Sequence, residues 1–180
     1  IGMAGILDSS RFKYFLSQEM KVPVKNIEAL VLGGHGDTMV PMTSFTTVNG
    51  KSLKQLLAEN KITKETLDAI IDRTRNGGGE IGKLLQKASA YYAPATSGIE
   101  MAESYIKNLK KTLPCAAYLN GEYGVKNLYV GVPVVIGDKG VEKIVEIDLN
   151  VEEKKNFEVS IVAVKELFKA AVKIDPDLAN

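Results

Sequence analysis

The chain has 180 residues, 45% of them hydrophobic and 25% charged, the size and balance of one domain able to bury a real core. With 23 basic and 22 acidic side chains its formal net charge is +1, so it has no basic footprint for nucleic acid and no acidic tail, and small molecules or protein surfaces are the expected partners. One cysteine, Cys115, excludes an internal disulfide, and one histidine, His35, excludes a Cys/His zinc cluster, so no metal is expected.

No stretch approaches the roughly 20 consecutive apolar residues of a membrane span. The opening lacks a charged-then-apolar leader, so no membrane contact and a cytoplasmic location are expected. Ile1-Gly2-Met3-Ala4-Gly5 is small and apolar, as though the chain begins inside a folded protein, and a fragment boundary is the expectation there.

Asp8 or Ser9 suits the cap of a helix in which Phe12, Phe15, Leu16 and Met20 recur at three-to-four-residue spacing until Pro23 closes the segment. Ile27 to Leu32 is a short apolar run suited to a buried strand, and it feeds directly into the turn Gly33-Gly34-His35-Gly36-Asp37, where Asp37 is expected to shape the turn. Ser44 to Val48 reads as a strand ending at Asn49-Gly50. Ser52-Leu53-Lys54-Gln55 is a capping-box pattern for a short helix, and Thr63 suits the cap of the next. Helical spacing runs from Lys64 to about Asn76; a break is expected at Gly77-Gly78-Gly79 before Glu80 to Ala90 resumes it. Pro94 lacks an amide hydrogen and should disturb the chain again before a helix over Ser97 to Lys110.

The last third changes character. Cys115 to Leu119, Leu128 to Ile136 and Val141 to Asp148 are strand-like, and the joins Asn120-Gly121 and Asp138-Lys139-Gly140 favour antiparallel hairpins. Asn150 with Glu153 caps a closing helix whose Phe157, Ile161, Val164, Phe168 and Val172 form one apolar stripe. The expected fold is a single α+β domain spanning 1–180, an antiparallel sheet covered by helices.

Gly77-Gly78-Gly79-Glu80-Ile81-Gly82 matches G-x-G-x-x-G by letters. That fingerprint works only where a strand feeds the glycines and a helix N-terminus receives the pyrophosphate, and here an amphipathic helix precedes it, so a dinucleotide site is not expected in it. His35 sits between glycines at the end of an apolar strand, where its side chain can project into a cleft and exchange a proton near neutral pH; an ordinary loop histidine is the plain alternative. Asp8 and Arg11 lie three apart at a helix start, on adjacent faces that can look into one cleft. An aspartate there can fix an imidazole tautomer and an arginine fork can hold a carboxylate, although a cap and a surface ion pair account for the same two letters.

Leu7-Asp8-Ser9-Ser10-Arg11-Phe12 together with Gly34-His35-Gly36-Asp37-Thr38 and Val40-Pro41 resembles the catalytic segments of the lactate/malate dehydrogenase family. Tyr91-Tyr92-Ala93-Pro94-Ala95, Leu113 to Tyr118 and Gly131 to Gly137 are similar to its malate branch in the lactate-dehydrogenase-like form. The resemblance implies that the chain is the C-terminal catalytic domain, with an N-terminal NAD-binding Rossmann half outside it and the isolated chain inactive. It implies that His35 donates and accepts the proton, that Asp8 is its partner, and that Arg11 grips the C1 carboxylate of malate or oxaloacetate. Met3 is implied to line the cofactor site and Ala90 the pocket. It further implies NAD as cofactor, a place in the tricarboxylic acid cycle and a homodimer or homotetramer. The alternatives are lactate as substrate, or a chain that folds and oligomerises without catalysis.

Overall fold

A computed structural model describes residues 1–179. Helix α1 (Ala4–Met20) is followed by short strands β1 (Ile27–Glu28), β2 (Val31–Leu32), β3 (Val40–Pro41), β4 (Thr47–Val48) and β5 (Lys51–Ser52), then helices α2 (Leu53–Ala58), α3 (Lys64–Leu85) and α4 (Tyr92–Ile106). Strands β6 (Lys111–Asn120), β7 (Lys126–Gly137) and β8 (Gly140–Ile144) precede the closing helix α5 (Val151–Ile174). All strand pairs are antiparallel, in three sheets ordered β1-β4-β5, β2-β3 and β6-β7-β8. Among the described residues no helix is long and apolar enough to cross a membrane.

Two apolar cores meet along α1 and the β2–β3 hairpin. Ile6, Leu32, Val40, Val130, Val132, Phe157 and Ile161 fill the space between the long β6–β7 hairpin and α5. Phe12, Leu16, Val31, Met39, Leu53, Leu67 and Ile70 fill the space between α1, α2 and α3. Successive strand residues point to opposite faces, so Val31 enters one core and Leu32 the other, and Met39 and Val40 divide the same way. The loop between these pairs carries His35, which therefore emerges at the seam of two packed bodies.

Local signals held where partners are close in sequence. Ser52 and Gln55 form the expected capping box on α2, Asn150 and Glu153 form it on α5, and Thr63 caps α3. Pro94 falls in the first turn of α4, where helical amides have no carbonyl to bond, so that helix starts five residues before the expected Ser97.

Five expectations need correction. Neither Asp8 nor Ser9 caps α1, because the helix begins at Ala4 and both residues are buried inside it. The run 27–32 splits, β1 pairing with β4 and β2 with β3, and Val141 to Asp148 is regular only as far as Ile144. There is no break at Gly77-Gly78-Gly79. The helix runs through them to Leu85, with Arg73 reaching across to Glu80 in two hydrogen bonds of 2.9 and 2.6 Å and stacking over the Phe15 ring at 4.3 Å. The stripe on α5 is buried at Phe157 and Ile161, whereas Phe168 is exposed.

Candidate active site

α1 puts Asp8 one turn inside the helix and Arg11 three residues on, so both face the seam where the 33–39 loop emerges. Asp8 is 2% exposed. A carboxylate at that depth is costly unless it is paired, and its partners define the site. Oδ2 lies 2.9 Å from His35 Nδ1, and Oδ1 faces the Arg11 guanidinium at 3.6 Å.

The turn that aims His35 starts at Gly33. Its N–H donates to the Gly131 carbonyl at 2.8 Å, and its own carbonyl accepts the Gly131 N–H at 2.9 Å. The backbones are so close that a Cβ on residue 131 would lie 2.5 Å from the Gly33 oxygen. Gly33 then takes a φ of +86°, the left-handed region that suits glycine, and the chain leaves the strand. The imidazole that follows is about half exposed, with Nδ1 turned inward to Asp8. The Asp8 hydrogen bond raises the His35 pKa above the ordinary 6.5, and the aspartate charge adds to the effect; burial and the nearby Arg11 charge oppose it.

Arg11 is the less ordinary partner. Its side chain is 10% exposed, yet its 3.6 Å approach to Asp8 is too long for a hydrogen bond. Asp8 Oδ1 is the buried side-chain oxygen left without a hydrogen bond among the described residues. The arginine stem lies flat on α3, where a Cβ on Gly77 would stand 3.1 Å from its Cδ. A planar fork held in place, its donors making no hydrogen bond among the described residues, is suited to a carboxylate, which it can take in two parallel bonds. A half-exposed imidazolium beside it can exchange a proton with an oxygen of the same small molecule.

The glycine run is no cradle for a dinucleotide. It lies in the interior of α3, where backbone amides are committed to helical carbonyls, and no strand feeds it. Met3 directly precedes α1 and Ala90 lies between α3 and α4; both are part-exposed, and neither bonds to Asp8, Arg11 or His35 among the described residues. Asp37 is exposed and makes no side-chain hydrogen bond among them. Cys115 is fully buried and its thiol is pushed up to about 12 by burial, which makes it inert as a nucleophile. The groove of 760 Å³ between Tyr118, Tyr129, Val164 and Phe168 includes none of the three site residues.

Sequence reasoning names Ser9 only as a possible cap and does not find that its hydroxyl accepts the Val31 N–H at 2.9 Å, nor that the Ser160 hydroxyl accepts the Gly34 N–H at 2.8 Å. It also missed Gly131. A serine at a buried helical position was the available signal for the first two, but it does not name its partner.

The family model for the lactate/malate dehydrogenase alpha/beta C-terminal domain matches residues 6–174. The chain is 65% identical over 180 residues to a malate dehydrogenase of Pelagibacter ubique (strain HTCC1062), covering 100% of this chain and 56% of that protein. Among solved structures, malate dehydrogenase from Cryptosporidium parvum superposes with a TM-score of 0.90 at 46% identity, covering 92% of this chain and 53% of the other. Lactate dehydrogenase from Eimeria maxima, solved with NADH and oxamate, gives 0.93 at 44% identity, covering 97% and 53%. The chain thus spans about half the length of the relatives it matches.

Proposed function

Because this chain belongs to the lactate/malate dehydrogenase family, we propose that it is the substrate-binding and catalytic half of an NAD-dependent dehydrogenase that interconverts (S)-malate and oxaloacetate. The observation that carries the reading is the Asp8–His35 contact at 2.9 Å beside a part-buried arginine whose guanidinium makes no hydrogen bond among the described residues.

In the reductive direction Arg11 holds the C1 carboxylate of the keto acid, and His35, kept protonated by Asp8, gives its proton to the keto oxygen. In the oxidative direction neutral His35 takes the hydroxyl proton, and Asp8 stabilises the imidazolium that results. NAD, when bound, supplies or accepts the hydride. In this reading NAD binding is assigned to an N-terminal dinucleotide-binding domain outside these 180 residues, a reading supported by the chain spanning about half the length of its relatives. Met3 and Ala90 border the nicotinamide and substrate in this reading. Malate is preferred to lactate because the 65%-identical relative is a malate dehydrogenase. Lactate is the second reading, supported by the lactate dehydrogenase structure that shares the fold. A homodimer or homotetramer in the cytoplasm, serving the tricarboxylic acid cycle, completes the proposal; exposed Tyr92, Ile99 and Ile106 on α4 supply apolar surface for such assembly.

The test is NADH oxidation by the full-length protein with oxaloacetate and pyruvate side by side. A strong preference for oxaloacetate supports the proposal, a preference for pyruvate keeps the mechanism and replaces the substrate, and no oxidation of either overturns it. His35→Asn should abolish turnover and leave NADH binding intact.

A further inference from the structure

A hydroxyl inside a helix can bond back to the carbonyl one turn earlier. Ser10, Thr74, Thr96 and Ser97 do so here, to Ile6, Ile70, Tyr92 and Ala93. Ser17 and Ser104 reach outward instead, to Val22 and Ile136, and Ser160, fully buried in α5, likewise bonds outside its own helix. Its hydroxyl accepts the Gly34 N–H at 2.8 Å and lies 3.4 Å from the Thr38 hydroxyl, so one side chain touches both ends of the segment that contains His35. The fit leaves no slack: a Cβ on Gly33 would stand 2.4 Å from the Ser160 oxygen, and one on Gly34 would stand 2.8 Å from Val164.

The Gly34 amide needs this acceptor. Gly33 has just turned out of the strand, so Gly34 has no ladder partner, and an unpaired amide at such a site is costly. From the other side, Ser9, next to Asp8 in α1, accepts the Val31 N–H. The carboxylate and the strand leading to the imidazole are therefore tied together before Gly33, and the turn after Gly33 is tied to α5.

We propose that Ser160 is a positioning residue for His35: by accepting the Gly34 amide and reaching Thr38 it sets the turn between them, and with it the aim of Nδ1 at Asp8. Its kinetic consequence rests on the reading of His35 as proton donor and acceptor, whereas its geometric consequence does not.

The experiment compares wild type, Ser160→Ala and Ser160→Cys in the full-length protein, each first checked for a wild-type circular dichroism spectrum and a cooperative melt. The His35 imidazole is titrated by histidine-labelled NMR, its signal assigned by loss in His35→Asn. Since the Asp8 hydrogen bond is the largest cause of the raised pKa, a misaimed ring titrates lower, toward 6.5, more so in the alanine variant than in the cysteine variant. A folded alanine variant whose titration superimposes on wild type overturns the proposal. If alanine does not fold, cysteine, which fills the site with a slightly larger atom and weakens the acceptor, decides by the same criterion. In keto-acid reduction the alanine variant should lose about tenfold in kcat, as small misplacements of a reacting group do, with KM within about twofold because Ser160 does not touch Arg11. A KM that rises as steeply as kcat falls indicates general loosening and also overturns it. If wild type turns over neither oxaloacetate nor pyruvate, the functional reading falls and the titration still decides Ser160.

Discussion

Asp8 Oδ2 sits 2.9 Å from His35 Nδ1, and the contact joins a carboxylate that is 2% exposed to an imidazole that is about half exposed. A buried anion and a solvent-facing base are thereby coupled through one hydrogen bond. The ring's inner nitrogen is engaged, which fixes the tautomer and leaves the other nitrogen for a substrate.

Asp8→Asn tests the charge in that bond separately from its shape. The amide is nearly isosteric and can still accept from Nδ1–H, but the stabilisation of the imidazolium is lost. The His35 pKa should fall below its wild-type value, and keto-acid reduction near neutral pH should fall by about 10²- to 10⁴-fold, the range of a positioned proton donor. Histidine NMR and initial rates check both. An unchanged titration with unchanged rate would remove Asp8 from its proposed role.

The pH dependence has a definite sign. The folded pKa of His35 is raised above 6.5, first by the Asp8 hydrogen bond and then by its charge. Oxaloacetate reduction, which needs the protonated ring, should decline as pH rises through that folded value, and malate oxidation should rise through it. The linked stability has the same origin. Protonation favours the fold fully below 6.5, and that contribution is lost as pH rises through the folded pKa. Rate profiles in both directions, repeated in Asp8→Asn, should show both limbs moving to lower pH; limbs that stay in place would assign them to another group.

Arg11→Lys should damage binding before chemistry. An ammonium cannot reproduce two parallel bonds to a carboxylate, and losing one charged hydrogen bond costs about 1.5–3 kcal/mol. That is roughly a ten- to hundredfold rise in KM. Steady-state kinetics with oxaloacetate reads it directly. A wild-type KM would place the carboxylate grip elsewhere.

The sequence made local structure legible where both partners lie within one turn, as with Ser52 and Gln55 or Asn150 and Glu153. It made the three candidate site residues, which the fold brings together, legible because their spacing and glycine setting resemble a known pattern. Beyond those it was silent for a physical reason. Ser160 reaches Gly34 across 126 residues and Ser9 reaches Val31 across 22, and no periodicity encodes such pairs. Asp8 was mistaken for a cap because aspartate suits caps, while burial of Gly5, Ile6 and Leu7 draws the helix start forward to Ala4. The glycine run was mistaken for a break because helix propensity knows nothing of what packs against the helix.

That last error yields the sharpest test of packing. Glycine inside a helix is less favourable than alanine by about 1 kcal/mol, so α3 sacrifices stability at 77 and at 79, and packing accounts for the glycine only at 77. A Cβ on Gly79 would meet nothing within 4 Å, whereas one on Gly77 would press on Arg11 Cδ at 3.1 Å and Nε at 3.4 Å. Gly79→Ala should therefore stabilise the protein by about 0.5–1 kcal/mol with KM unchanged. Gly77→Ala should gain less, because the arginine stem must shift by a few tenths of an ångström, and the displaced fork should raise KM for oxaloacetate about three- to tenfold. Thermal melts and steady-state kinetics on the two variants supply the comparison. Equal gains in stability with equal KM would show that Gly77 is not kept bare for Arg11, and the close approach of α3 to that arginine would have no bearing on function.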